Sequence, residues 1–163
     1  YFRAVFFPQA EDAAWTRYKG KAESANSNAF DSFNRYMEEP SFRKRPFAIF
    51  YYVITHNIRI TRELNNIELE QGNHTEQLDN DTSQRQQQLV MDCLIAFNEN
   101  MPCVSKLDTE AHYDVLNAEQ AIPQFQPLSP HQEIYLEKML VELRAMHKDL
   151  AVLAEKLPRI MRL

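Results

Sequence analysis

The stretch that decides the fold is residues 129–157, SPHQEIYLEKMLVELRAMHKDLAVLAEKL, which carries the clearest helical signal in the chain. Ser129, Pro130 and Gln132 match a capping box, in which a serine and the glutamine three residues later satisfy free N–H groups at a helix start. Apolar residues then recur at gaps of four and three: Met139, Leu143, Met146, Leu150, Leu153 and Leu157. This seam predicts a long helix, helix D, within a bundle. Because fewer than four heptads are present, an intermolecular coiled coil is the less favoured alternative.

Helix A is predicted over residues 8–39. Its apolar and small residues recur at gaps of three and four, so they share one helix face; they are Trp15, Tyr18, Ala22, Ala25, Ala29, Phe33 and Tyr36. Pro8 suits the first helical turn, where its missing N–H costs nothing. Pro40 is expected to end the helix, because its ring disfavours helical geometry at Glu39.

Helix B is predicted to begin at Pro46 and to end near Gly72 and Asn73, which form a plausible helix stop. Its apolar stripe consists of Phe47, Phe50, Ile54, Ile58 and Leu64, widened by Tyr51 and Val53. The first half of the helix is apolar nearly all round, which is typical of a helix at the centre of a bundle. Residues 59–70 have a wetter face.

Helix C is predicted from about Thr82 to about Asn98. Its expected buried residues are Leu89, Val90, Cys93, Leu94 and Phe97. From residue 99 to 130 the periodicity fails and prolines interrupt any long helix, Pro102 being the first of them, although residues 109–120 suit a short helix. Helices A to D with one long irregular connection before the last helix predict an all-α fold, a four-helix bundle with a range of three to five helices.

The composition limits the classes of function. A chain of 163 residues with 44% hydrophobic residues is long enough for one domain with a real core. Its two glycines favour an all-helical protein, since strand-rich folds use glycine in turns and bulges. The net charge of -5 argues against nucleic acid as a partner. Cys93 and Cys103 are too few for a disulfide framework and lack CxxC spacing, so they are interpreted as reduced thiols, with a disulfide as the less favoured alternative.

The histidines do not match a metal-binding pattern. Ferritin-like bundles place a glutamate three residues before a histidine, but the residues at that position are Val53, Gln71, Thr109, Leu128 and Arg144. We therefore expect no bound metal. We also expect no cofactor and no catalytic residue. His56, in the apolar part of helix B, is interpreted as a hydrogen-bonded core residue rather than a ligand.

Three consecutive basic residues, Arg43, Lys44 and Arg45, lie between helices A and B. A basic turn of this kind is usually solvated, and from the residues alone this is the favoured interpretation. The alternative is contact with anionic lipid headgroups, if that end of the bundle faces a membrane.

The chain resembles the cytoplasmic domain of bacterial inner-membrane proteins of the fusaric-acid-resistance type, which are similar to aromatic acid exporters. In that family a membrane bundle leads to a phrase like P-x-W-E, a helix with A-N-x-x-A and R-x-x-x-E-P, and an apolar helix with a central histidine. The matching positions here are Pro8, Glu11, Ala25, Asn26, Ala29, Arg35, Glu39, Pro40 and His56. The resemblance covers residues 8 to about 64, roughly a third of the chain.

The resemblance implies that residues 1–7 are the end of, or the link from, a membrane segment, and that residues 8–163 form one helical cytoplasmic domain. It implies a multi-spanning exporter of aromatic or other organic acids, in which this domain has an assembly or regulatory role and no enzymatic one. The expected partners are the protein's own membrane domain, a second copy of the chain and anionic lipid headgroups. The alternative is a free-standing helical adaptor or a ligand-sensing bundle that binds a partner helix.

Overall fold

The computed structural model describes residues 1–6, 12–38, 47–70, 80–107 and 128–160. Within these ranges the protein is all-α, as the sequence predicts. The helices are α1 (Phe2–Phe6), α2 (Asp12–Met37), α3 (Phe47–Glu70), α4 (Asn80–Leu107) and α5 (Pro130–Ile160). They form a bundle, and none of these helices is both long enough and apolar enough to cross a bilayer.

Side-chain contacts define the direction of each long helix. Lys19 pairs with Glu68 and Asn26 bonds to Thr61, so α2 and α3 are antiparallel. Helices α3 and α5 are also antiparallel, because Gln132 contacts the Ile67 carbonyl and His56 contacts Glu142.

In contrast, α4 and α5 run parallel. Gln86 bonds to Leu128 near the start of both segments, and Asn100 bonds to the Leu143 carbonyl about four helical turns further on. Leu107 and Leu128 therefore lie towards opposite ends of the bundle. Residues 108–127 must join these ends, which agrees with the predicted long connection before the last helix.

Like α3, helix α5 is a central helix of the bundle: α3 packs against α5, α2 and α1, and α5 packs against both α3 and α4. Its seam is confirmed as a core surface: Met139, Leu143, Met146, Leu150 and Leu153 are all buried. The capping box is also confirmed. The Ser129 N–H donates to Oε1 of Gln132 at 2.7 Å, and the Gln132 N–H donates to Oγ of Ser129 at 3.2 Å.

The short helix α1 belongs to the same core. Phe2, Val5 and Phe6 are buried, and the Phe2 ring lies 4.6 Å from that of Phe6 and 6.0 Å from that of Phe97 on α4. Residues 2–6 thus share one hydrophobic core with α3, α4 and α5. This packing does not test the prediction that residues 1–7 follow a membrane segment.

Helix α2 confirms residues 12–37 of the predicted helix A, and residues 8–11 and 39–40 lie outside the described ranges. Its predicted apolar face is largely exposed, including Tyr18, Ala25 and Ala29. Among the described side chains of α2, the buried one is Asn26. The physical reason is position: α2 packs on α3 and α1 at the side of the bundle, away from helix α5.

The prediction that the first half of helix B is central is wrong. The buried apolar residues of α3 lie in its second half, Ile60, Leu64 and Ile67, whereas Tyr51, Tyr52 and Ile58 are exposed. Helix α1 explains this difference, since Tyr1 reaches Asn65 and Glu68 and α1 therefore covers the second half of α3. The predicted stop at Gly72 and Asn73 lies outside the described residues.

Helix α4 is longer at both ends than predicted, and it continues through Pro102 to Leu107. The expectation that Pro102 ends this helix is wrong. Pro102 is exposed and lies near the end of the helix, where one missing backbone hydrogen bond disturbs only the last turns. Val90, Cys93 and Leu94 are buried as predicted, while Leu89 and Phe97 are partly buried against the core. The proposed short helix at 109–120 lies outside the described residues.

Candidate functional site

A polar cluster around His56 connects α3 to α5. Nδ1 of His56 lies 2.5 Å from Oε2 of Glu142, and Nε2 lies 3.3 Å from Oδ2 of Asp149. The second Glu142 oxygen accepts from Arg59 at 3.2 Å. The side chains of His56, Glu142 and Asp149 are partly buried, with 16%, 18% and 28% of their surface exposed, respectively. The interpretation of His56 as a hydrogen-bonded residue is therefore confirmed, although it bridges two helices at the edge of the core.

On another side of α3, a series of hydrogen bonds between uncharged side chains connects this helix to α2. Nδ2 of Asn57 donates to Oδ1 of Asn26 at 2.6 Å, and Nδ2 of Asn26 donates to Oγ1 of Thr61 at 2.9 Å. The Thr61 hydroxyl donates to the Asn57 carbonyl at 2.9 Å. Asn26 is buried, so its amide group needs hydrogen-bond partners. Asn57 and Thr61 of α3 provide them, and these bonds connect the two helices.

The other described positions of the family resemblance, Ala25, Ala29 and Arg35, do not share a site. Ala25 and Ala29 are exposed on α2, and Arg35 is exposed and donates to the Asp31 carbonyl one turn earlier. Pro8, Glu11, Glu39 and Pro40 lie outside the described residues, as do the basic residues Arg43, Lys44 and Arg45. Of the nine matching positions, the structure thus assigns interhelical contacts to Asn26 and His56.

A second polar layer, which sequence reasoning missed, lies between α4 and α5. Gln86, Cys93 and Asn100 are completely buried and follow one another at intervals of seven residues. Gln86 exchanges two hydrogen bonds with the backbone of Leu128, Cys93 donates to the Leu136 carbonyl and Asn100 donates to the Leu143 carbonyl. The seven-residue spacing of Gln86, Cys93 and Asn100 is the signal that could have revealed this layer, although Asn100 lies beyond the predicted end of helix C.

Burial and charge alter the acidity of three groups. Burial raises the pKa of the Cys93 thiol to about 12, and the neighbouring Asp92 carboxylate adds to this effect. Burial and the Glu68 carboxylate raise the pKa of the Tyr1 phenol. The Glu70 carboxylate, 3.2 Å from its hydroxyl, raises the pKa of Tyr135. Each shift keeps the group in its neutral form, so none of them indicates an activated nucleophile.

The cysteines and the possible metal ligands of the described residues can each be checked against the sequence interpretation. Both cysteines are free and buried, which confirms their interpretation as reduced thiols. Within the described ranges, no group of three or more His, Cys, Asp and Glu residues is arranged to hold a metal ion. The His56 cluster has two carboxylates, but each one is directed at a ring nitrogen that a metal would need.

Exposed aromatic and apolar side chains are concentrated where α2 ends and α3 begins. Met37 and Tyr51 are 48% and 43% exposed, and Tyr52 is 51% exposed. The rings of Phe33 and Tyr51 lie 5.7 Å apart across the two helices, and Tyr51 contacts Tyr52 in turn. We call Phe33, Met37, Tyr51 and Tyr52 the aromatic surface.

Comparison of the chain with protein-family models, curated proteins and solved structures finds no match. The resemblance to the exporter family therefore stays a prediction from the residues quoted above.

Proposed function

We propose that this chain is a helical domain on the cytoplasmic face of a bacterial inner membrane, attached to a multi-spanning exporter of aromatic or other organic acids. Its role is to support the assembly or regulation of the membrane part, and it carries no enzymatic activity. The observation that carries the proposal is the ordered set of family-like positions between Pro8 and His56, which agree with the family pattern in both sequence order and spacing.

The geometry supports this proposal in one respect. Asn26 and His56 are two of the family-like positions, and each makes a contact that joins α3 to a different neighbouring helix. Residues that determine how helices α2, α3 and α5 fit together would be needed in every domain built on this plan. Their role is therefore architectural, and any binding of a transported acid belongs to the proposed membrane part.

The aromatic surface supports an interaction role. Tyrosine and methionine are common at protein interfaces, because they bury a large area and tyrosine retains a polar end. A domain that assembles with a membrane part needs such a surface, and the described residues include no buried catalytic centre that would suggest another use.

The reading frame upstream of Tyr1 tests the proposal. We expect several hydrophobic spans of about twenty residues each, the length that crosses a bilayer as a helix. The complete protein should then fractionate with inner membranes, and a protease should cleave this domain in inside-out vesicles but not in intact spheroplasts. A reading frame that starts close to Tyr1 and encodes no such span would refute the proposal.

The aromatic surface also favours one alternative, a free-standing adaptor that binds a partner helix. An amphipathic helix could lay its apolar side against Met37, Tyr51 and Tyr52. This alternative predicts a complete chain without hydrophobic spans that is found in the soluble fraction, so the same reading frame and fractionation separate the two candidates.

A further inference from the structure

Residues 1–6, which we call the α1 segment, lie in a groove between α3 and α4. Among the described residues, both of these long helices pack on α5 but have no extensive contact with each other. The α1 segment contacts both of them. The Tyr1 hydroxyl donates to Oδ1 of Asn65 on α3 at 2.5 Å. The Phe2 ring lies 6.0 Å from that of Phe97 on α4.

The α1 segment occupies this groove in the manner of a short amphipathic peptide. Its buried apolar side chains, Phe2, Val5 and Phe6, are spaced i, i+3 and i+4, so they share one side of the helix. Apolar anchors at this spacing are a common way for a helix to bind in an apolar groove. At the edge of the groove, Tyr1 adds a polar contact through its bonds to α3.

Helix α1 is helical because it lies in the groove. Its five residues are far fewer than the roughly 12–15 that an isolated helix needs in water. Burial of the three apolar side chains favours docking of the segment, and the conformational entropy lost on ordering it opposes docking. These two contributions are of similar size, so the segment can undock while α3 and α4 stay packed on α5.

We propose that the groove between α3 and α4 is a binding site for a helical segment with bulky apolar side chains at positions i, i+3 and i+4, and that α1 is its exchangeable occupant. The partner is a second copy of this chain, whose own α1 segment would make the same contacts between two molecules, as in domain swapping. The site goes beyond the proposed function, because it depends on this groove and not on any membrane.

A fluorescent peptide with the sequence of residues 1–7 tests the site by fluorescence anisotropy. The complete chain with Phe2→Ala and Phe6→Ala releases its own segment. It should bind the peptide at least about tenfold more tightly than the wild type, because an occupied groove is available to the peptide for only a fraction of the time. Adding Phe97→Ala to this variant removes a contact of the peptide and should weaken binding. Ile95→Ala, at a 47% exposed residue of the same helix, is the matched control and should leave binding unchanged.

A mixing experiment tests the second copy as the partner. The chain with Phe2→Ala and Phe6→Ala keeps the groove, and a chain with Phe97→Ala keeps the α1 segment. Sedimentation velocity should show a dimer in an equimolar mixture and monomers for each variant alone. A mixture that stays monomeric would exclude exchange between copies.

Peptide binding that is absent, or equal for the wild type and the Phe2→Ala, Phe6→Ala variant, would overturn the site. If that variant is poorly folded, hydrogen exchange of the wild type decides. The Val5 N–H, which donates to the Tyr1 carbonyl at 3.1 Å, should exchange at least about tenfold faster than the Leu143 N–H of α5, since α1 opens by itself. Exchange of both groups at the rate of global unfolding would show that α1 does not exchange.

Discussion

At the scale of single residues, this protein uses buried polar side chains to fix how its helices meet. Asn26, Gln86, Asn100 and Gln132 are all buried, and each bonds to a group of a neighbouring helix or of the segment that leads into it. A buried amide without a partner is costly, so an alignment that breaks these bonds is disfavoured. The amides therefore select one alignment of helices among those that the apolar seams allow.

The buried thiol of Cys93 gives a prediction at this scale. Its pKa of about 12 leaves about one molecule in ten thousand as the reactive thiolate near pH 8. In a Cys103→Ser variant, where Cys93 is the remaining cysteine, a thiol reagent such as Ellman's reagent should react at the rate of unfolding. The same variant in denaturant is the positive control, and labelling of the native protein at the denatured rate would contradict the burial.

At the scale of helices, position in the bundle decides which apolar residues are buried. Helix α5 buries its seam because α3 and α4 pack on its two sides, whereas α2 has a comparable apolar face that stays largely exposed. The two faces have similar periodicity and differ in how extensively other helices cover them: α5 lies between the long helices α3 and α4, whereas α2 packs on one long helix, α3, and on the short α1.

The seam of α5 allows a matched pair of substitutions. Leu150 is 3% exposed and Val141 is 65% exposed on the same helix. Leu150→Asp buries an unpaired carboxylate and should lower the free energy of unfolding by several kcal/mol, on the order of the cost of such a charge. Val141→Asp introduces the same group at the surface and should change it by less than about 0.5 kcal/mol. Chemical denaturation of both variants measures the difference, and equal stabilities would show that the seam is not a core surface.

At the scale of the whole molecule, the bundle separates Tyr1 from the ends of α2 and α3 at Met37 and Phe47. Tyr1 contacts Glu68, which pairs with Lys19, while Met37 and Phe47 are at the far ends of α2 and α3. From Lys19 to Met37 the helix rises by about 27 Å, at about 1.5 Å per residue. This exceeds the Debye length of about 8–10 Å, so both ends can face one membrane only if the bundle lies along its surface.

This arrangement predicts weak binding to lipid. Each basic residue near an anionic surface contributes about 1 kcal/mol, so three together give at most about 3 kcal/mol, and the net charge of -5 opposes them. The domain should co-sediment only marginally with anionic vesicles at low salt, and Arg43→Glu with Arg45→Glu should abolish this binding. Lys148→Glu with Lys156→Glu, two exposed lysines of α5, is the control for net charge. Equal binding by both double variants, or none by the wild type, would remove the lipid role.

The sequence by itself determined the helical class, the start of α5 at its capping box and the buried seam that follows. Those features depend on residues close together in the chain: Ser129 and Gln132 cap the helix locally, and a seam of leucine and methionine needs some apolar partner whatever its identity. The interpretation of both cysteines as free thiols also needed only their number and spacing.

Only the tertiary structure decided which helices are central, which half of α3 is buried and what His56 contacts. Glu142 and Asp149 are 86 and 93 residues from His56 in the chain, and no local pattern specifies that pairing. The exposure of the apolar face of α2 and the continuation of α4 past Pro102 were also decided only by the tertiary structure. Periodicity shows that a face is apolar, but its burial depends on how extensively other helices pack on it, which is a property of the assembled bundle.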